Sequence, residues 1–142
     1  SIRSLNNLVV ISPDAGSVPR VQALSALLKV ELAILKKRRL PNGDYEMRGL
    51  SSEVQGKHCL IVDDIIDSGK TLRSAARLLL EKGAQSIKAC ITHGVFSAEP
   101  LEGWGLEFFD EIYITDSIRS LSLPYPVQVL SIVDLIISSL KP

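Results

Sequence analysis

The apolar positions of this chain fall in short runs separated by turn residues. Residues 8–11 (LVVI) form a β-branched run that stops at Ser12-Pro13-Asp14-Ala15-Gly16, which predicts a strand and then a turn. Over residues 18–29, Val21, Leu24, Leu27 and Leu28 recur at helical spacing. Residues 31–35 (ELAIL) predict a second strand. The basic run Lys36, Lys37, Arg38 and Arg39 follows, and then Pro41-Asn42-Gly43-Asp44, which reads as a mobile loop. Residues 47–54 read as either a short edge strand or a hairpin arm.

Residues 59–62 (CLIV) have the continuous apolar character of a strand buried on both faces. An acidic turn follows. Leu72, Ala75, Ala76 and Leu79 then mark one face of a helix that Gly83 can close. Strands are predicted at 86–92, 111–115 and 127–132, a short helix at 98–105 and a final helix at 134–140.

Strands alternating with helices predict an α/β domain, a mainly parallel sheet with helices on both faces. Such sheets bind ligands beyond the carboxyl ends of their strands. The unusual turns follow strands directly: Asp14-Ala15-Gly16, the segment 63–71, Thr92-His93-Gly94 and Thr115-Asp116-Ser117. His93 borders this region without a catalytic assignment, and His58 reads as structural or exposed.

Composition narrows the partners. With 16 basic and 16 acidic side chains the formal net charge is zero, which argues against nucleic acid or an anionic membrane as partner. Aromatics are 5%, too few for a base-stacking platform. No apolar run approaches the roughly 18 residues of a membrane span, and no secretory leader is read. Cys59 and Cys90 lie singly in apolar runs and are expected to be buried free thiols of a cytoplasmic protein. The 142 residues fit one domain.

The chemistry concentrates in 59–72, CLIVDDIIDSGKTL. Gly69-Lys70-Thr71 suggests a nucleotide-triphosphate loop, but the position that loop reserves for its first glycine holds Asp64. Ser68, Gly69, Lys70 and Thr71 instead open a helix, where unpaired N–H groups and the helix dipole favour one phosphate. Asp63 and Asp64 suit sugar hydroxyls, directly or through Mg²⁺. For an isolated Asp-Ser-Gly turn the ligand-free reading competes. Adjacent acids at the end of a buried strand favour a site.

IVDDIIDSGKT closely resembles the phosphoribosyl diphosphate (PRPP) motif of the type I phosphoribosyltransferase fold. That motif alone leaves open enzymes that consume PRPP and enzymes that make it. VVISPDAGSVPR, LAILKKRR, THGVFS, EIYITDSI and VLSIVDLI resemble, in order, segments of the PRPP synthetases, the ribose-phosphate pyrophosphokinases. The resemblance spans nearly all of 1–142 but only the C-terminal half of that family's two-domain chain. It implies Mg-dependent transfer of diphosphate from ATP to the 1-hydroxyl of ribose 5-phosphate, giving PRPP and AMP.

By the same resemblance, Lys37 and Arg39 are catalytic, on a mobile loop that stabilises phosphoryl charge. Asp63, Asp64, Asp67, Ser68, Gly69, Lys70 and Thr71 bind ribose 5-phosphate, and Asp14 lies at the metal. Ser17 and Pro19 depart from the family's usual residues. The resemblance further implies a homo-oligomer for the full-length form, and an ATP site that needs the N-terminal domain. The alternatives are a phosphoribosyltransferase and a non-catalytic regulatory domain.

Overall fold

The computed structural model describes residues 6–41, 45–97, 104–118 and 123–140. Seven strands form one sheet: β1 (Leu8–Ser12), β2 (Glu31–Arg39), β3 (Tyr45–Leu50), β4 (His58–Ile66), β5 (Ser86–Gly94), β6 (Glu111–Thr115) and β7 (Val127–Leu130). Helix α1 (Val18–Leu28) joins β1 to β2, α2 (Lys70–Glu81) joins β4 to β5, and α3 (Val133–Leu140) follows β7. The spatial order is β3-β2-β1-β4-β5-β6-β7. Every neighbouring pair is parallel except β2 with β3.

Strand β1 explains both layers. Its side chains alternate, as pleating requires. Leu8 and Val10 pack with Val21 and Leu60 under α1, while Val9 and Ile11 join the larger core that contains Leu72, Ala75, Ala76 and Leu79 of α2. All four predicted apolar residues of α2 are buried. Three of the four in α1 pack inward, but Leu27 is 73% exposed. Helix α3 has no buried residue.

From β1 the chain crosses through α1 to β2 on one side, and it later returns to β4 on the other. The order of winding therefore reverses between β1 and β4, and a crevice opens beyond their carboxyl ends.

Several sequence expectations need correction. The basic run is not in the loop: β2 continues through it, and Lys37, Arg38 and Arg39 pair with Met47, Glu46 and Tyr45 of β3 after a bulge at Lys36/Lys37. The antiparallel arm supplies the backbone partners that a loop would lack. Residues 45–50 are thus both the hairpin arm and the edge strand. Pro41 closes the described part of the hairpin, and the rest of the expected mobile loop, residues 42–44, lies outside the described residues.

Asp63 and Asp64 likewise belong to β4, not to a turn, since β4 pairs with β5 as far as Ile66↔Gly94. The same pairing keeps Thr92-His93-Gly94 within β5. The expected helix at 98–105 falls mostly outside the described residues. Gly105 has φ 75° and precedes a short 3-10 turn, Leu106–Phe108. The last strand stops at Leu130, two residues early.

Candidate functional site

Beyond β1 and β4, Asp14, Asp63, Asp67, Ser68, Gly69, Lys70 and Thr71 line one cleft of ≈ 180 Å³, floored by Ile65, Ile66, Leu72 and Ile91. A larger cavity of ≈ 750 Å³ lies at the other end of the strands, beside residues 49–55 and the end of α2. It holds none of the predicted site residues. Charged and hydroxyl groups converge in the smaller cleft, which makes it the candidate site.

At one end of the cleft the chain turns from β4 into α2. Gly69 precedes the helix with φ 70°, a left-handed conformation that other residues adopt only at a cost. A Cβ added there would meet Trp104 Cε3 at 2.5 Å. Trp104 is buried, and its ring centroid lies 5.3 Å from that of Phe96. The loop is thus pressed onto an indole wall, and only glycine fits both the angle and the space. The open amides of α2 begin here, beside Ser68, Lys70 and Thr71.

Asp67 closes the loop from the other side. Its Oδ1 accepts the Ser97 amide at 3.1 Å and also the Ser97 hydroxyl. These bonds hold its carboxyl below the usual range.

The acidic end is a network across three elements. Asp14 Oδ1 accepts the Ser17 amide at 3.0 Å, and its Oδ2 pairs with Lys37 Nζ at 3.1 Å. Burial pushes the Asp14 carboxyl up, but the Ser17 amide and the Lys37 ammonium outweigh it and hold the group below its ordinary value. The Ser17 hydroxyl lies 2.7 Å from Asp63 Oδ1 and 3.2 Å from Asp14 Oδ1. Asp63 Oδ1 also accepts the Asp64 amide at 3.0 Å. Burial nevertheless pushes the Asp63 carboxyl up, with the nearby Asp14 charge adding to it.

Asp64 is placed differently. Asp63 lines the cleft and Asp64 does not; Asp64 Oδ2 lies 2.8 Å from the Arg20 guanidinium of α1, which also comes within 3.9 Å of Asp63 Oδ1. That cation holds the Asp64 carboxyl below its ordinary value.

A depressed carboxylate adds stability above its unfolded pKa and loses it as pH falls through the lower, folded value. Arg20→Ala should therefore raise the Asp64 midpoint in a carboxyl NMR titration. It should change stability by less than about 1 kcal/mol, since the pair is exposed to solvent. An unmoved midpoint would contradict the pairing.

Of the two predicted catalytic cations, Lys37 reaches this network. Arg39 is exposed at the end of β2, without a polar partner among the described residues. His93 Nδ1 lies 2.8 Å from Ser117 Oγ and His58 Nδ1 2.6 Å from Ser86 Oγ, so neither joins the cleft. Cys59 is buried, its thiol pushed up to about 12 by that burial, and Cys90 is half-buried and also raised. Both are free.

Sequence reasoning missed Arg20, Ser97 and Trp104 as parts of the site. Arg20 sits one helical turn from Ser17 and could have been paired with an acid. Ser97 and Trp104 meet the loop only through tertiary folding, and no local pattern announces them.

The chain is similar to known proteins along most of its length. The model of the phosphoribosyl transferase domain matches residues 2–106. A ribose-phosphate pyrophosphokinase of Agrobacterium fabrum is 48% identical over 114 residues, which are 80% of this chain and 37% of that protein. A crystal structure of phosphoribosylpyrophosphate synthetase from Mycobacterium smegmatis superposes with a TM-score of 0.76 at 30% identity, covering 94% of this chain and 43% of that one. A hypoxanthine phosphoribosyltransferase from Staphylococcus aureus shares the fold, with a TM-score of 0.53 at 17% identity, covering 87% of this chain and 60% of that one. The chain spans less than half the length of the two synthetase relatives. With the family model matching residues 2–106 of a chain whose sheet is parallel in all but the β2–β3 pair, this chain belongs to the phosphoribosyl transferase domain family.

Proposed function

We propose that this chain is the pentose-phosphate-binding, C-terminal half of a ribose-phosphate diphosphokinase. The reaction moves the diphosphoryl group of ATP to the 1-hydroxyl of ribose 5-phosphate. The hydroxyl oxygen bonds to the β-phosphorus as the bond from that phosphorus to the α–β bridging oxygen breaks. The hydroxyl proton is lost, and PRPP and AMP leave. The observation that carries the reading is the joining of two unlike ends in one cleft: a hydroxyl-rich helix start, and two acids bridged by Ser17, one of them paired with Lys37.

In this reading Ser68, Gly69, Lys70 and Thr71 hold the 5-phosphate through amides, hydroxyls and one ammonium. Asp63 accepts a ribose hydroxyl. Asp64 faces α1 in the structure, so its proposed part in sugar binding requires release from Arg20. Lys37 supplies positive charge where phosphoryl oxygens gain negative charge in the transition state, and Arg39, further along β2, adds to it.

Magnesium fits as an ion held mainly by substrate oxygens. Asp14 and Asp63 offer carboxylates, and no group of three acid, His or Cys ligands occurs among the described residues. When bound, the ion would neutralise phosphoryl charge. The ATP base site belongs to the part of the synthetase that this chain does not span, so the chain alone binds pentose phosphate without turnover. We further propose a homo-oligomeric full-length enzyme acting in the cytoplasm.

The competing reading is a phosphoribosyltransferase on the same fold. Incubating the full-length protein with Mg²⁺, ATP and ribose 5-phosphate and following phosphorus NMR separates them. PRPP with equimolar AMP supports the proposal. No PRPP from this mixture, together with nucleotide formed from PRPP and a base, would overturn it.

Thr71→Ala and Asp67→Ala should each weaken ribose 5-phosphate binding about tenfold, the scale of one hydrogen bond involving a charged group. Unchanged affinities in calorimetry would remove the phosphate-loop assignment.

A further inference from the structure

Among the described residues two polar side chains are fully buried, Ser12 and Ser17, and both are spent on the Asp14 turn. Ser12 Oγ donates to the Asp14 carbonyl at 2.7 Å, which shapes the backbone. Ser17 does something else. It stands at the N-cap of α1, where a serine oxygen ordinarily accepts a backbone amide, yet its side chain makes no cap hydrogen bond. One amide it could have used is absent, because Pro19 occupies the second helical position. A hydroxyl buried this deeply is costly unless it is hydrogen-bonded, and its partners are the two cleft carboxylates.

We propose that Ser17 is a positioning residue for the sugar end of the cleft, its hydroxyl fixing the Asp63 carboxylate in the orientation that accepts a pentose hydroxyl. The inference rests on the pentose reading above. The hydroxyl carries one proton, and the shorter contact, 2.7 Å to Asp63 Oδ1, takes it. The Ser17 amide holds Asp14 at the same time. One residue on the α1 turn thus sets the relative placement of an acid after β1 and an acid on β4, with Lys37 of β2 attached through Asp14. The 5-phosphate end, at Ser68–Thr71, has no contact with Ser17 among the described residues, so the two ends of the ligand should respond differently to its loss.

The test compares ribose 5-phosphate with inorganic phosphate, each titrated into the chain and followed by backbone amide shifts. Ser17→Ala should weaken ribose 5-phosphate about tenfold and leave phosphate within about twofold. In an Asp63→Ala background the same substitution should have no further effect, since its partner is gone. Equal weakening of both ligands, no weakening of either, or full additivity with Asp63→Ala would each overturn the proposal.

A wild-type chain that binds neither ligand would instead overturn the pentose reading together with this one. Should Ser17→Ala fail to fold, Ser17→Cys keeps the size with a much weaker donor and is read by the same criteria.

Discussion

Lys37→Ala in the full-length enzyme should lower turnover about a hundredfold or more while changing pentose affinity by less than about threefold. The expectation comes from where β2 delivers the ammonium. The bulge at Lys36/Lys37 resets the register, and Nζ comes to lie 3.1 Å from Asp14 Oδ2 at the edge of the cleft. The lysine is partly exposed, so its pair with Asp14 contributes at most about 1 kcal/mol to stability. The protein should therefore stay folded when it is lost. In the proposed reaction what disappears is charge beside the transferring group, where a preorganised cation is worth most in the transition state. Lys37→Arg should recover only part of the rate, because a planar guanidinium does not replace a compact ammonium. Steady-state kinetics beside calorimetry separate the cases, and equal losses in kcat and in affinity would mean simple ground-state binding.

The second large effect belongs to Gly69→Ala. Holding an alanine in the left-handed region costs about 1 kcal/mol, and forcing a methyl against Trp104 costs about 2 more. About 3 kcal/mol in a domain of this size lowers the melting midpoint by about 10 °C. The phosphate loop should distort as well, weakening ribose 5-phosphate at least about tenfold. Gly49→Ala is the control. It lies in β3 with nothing within 4 Å of an added Cβ, so neither stability nor binding should move appreciably. A Gly69→Ala protein with native melting and native affinity would show that the loop does not depend on the indole wall.

Much of the fold was legible because its signals are local. Apolar runs of four or five residues between turns marked the strands, and the period of Leu72, Ala75, Ala76 and Leu79 fixed the buried face of α2. The errors arose where pairing partners decide. Lys36 to Arg39 look like a solvated basic loop until β3 pairs beside them, and Asp63 and Asp64 look like a turn until β5 extends along β4. Charged residues in a strand are costly only if buried, so composition alone could not separate strand from loop. Leu27 fits the helical period but falls off the face that α1 presents to the sheet.

The site divides in the same way. Ser68 to Thr71 form one short segment and could be read directly. Asp14, Ser17, Lys37 and Asp63 come from segments up to 49 residues apart in sequence, and their meeting is a product of the strand order β2-β1-β4. The resemblance assigned Asp14, Lys37 and Asp63 to one site, but it marked Ser17, the serine that ties them, only as a departure from the family's usual residue. Asp64 was grouped with Asp63 by the motif, but only Asp63 lines the cleft, although Arg20 reaches both.

The central claim is that this cleft holds a phosphorylated pentose. Its most direct test is a calorimetric titration of ribose 5-phosphate into the chain with Mg²⁺, run beside Gly69→Ala. The account predicts saturable one-to-one binding that weakens at least about tenfold in the variant. No binding by the wild-type chain, or equal binding by both proteins, would contradict it.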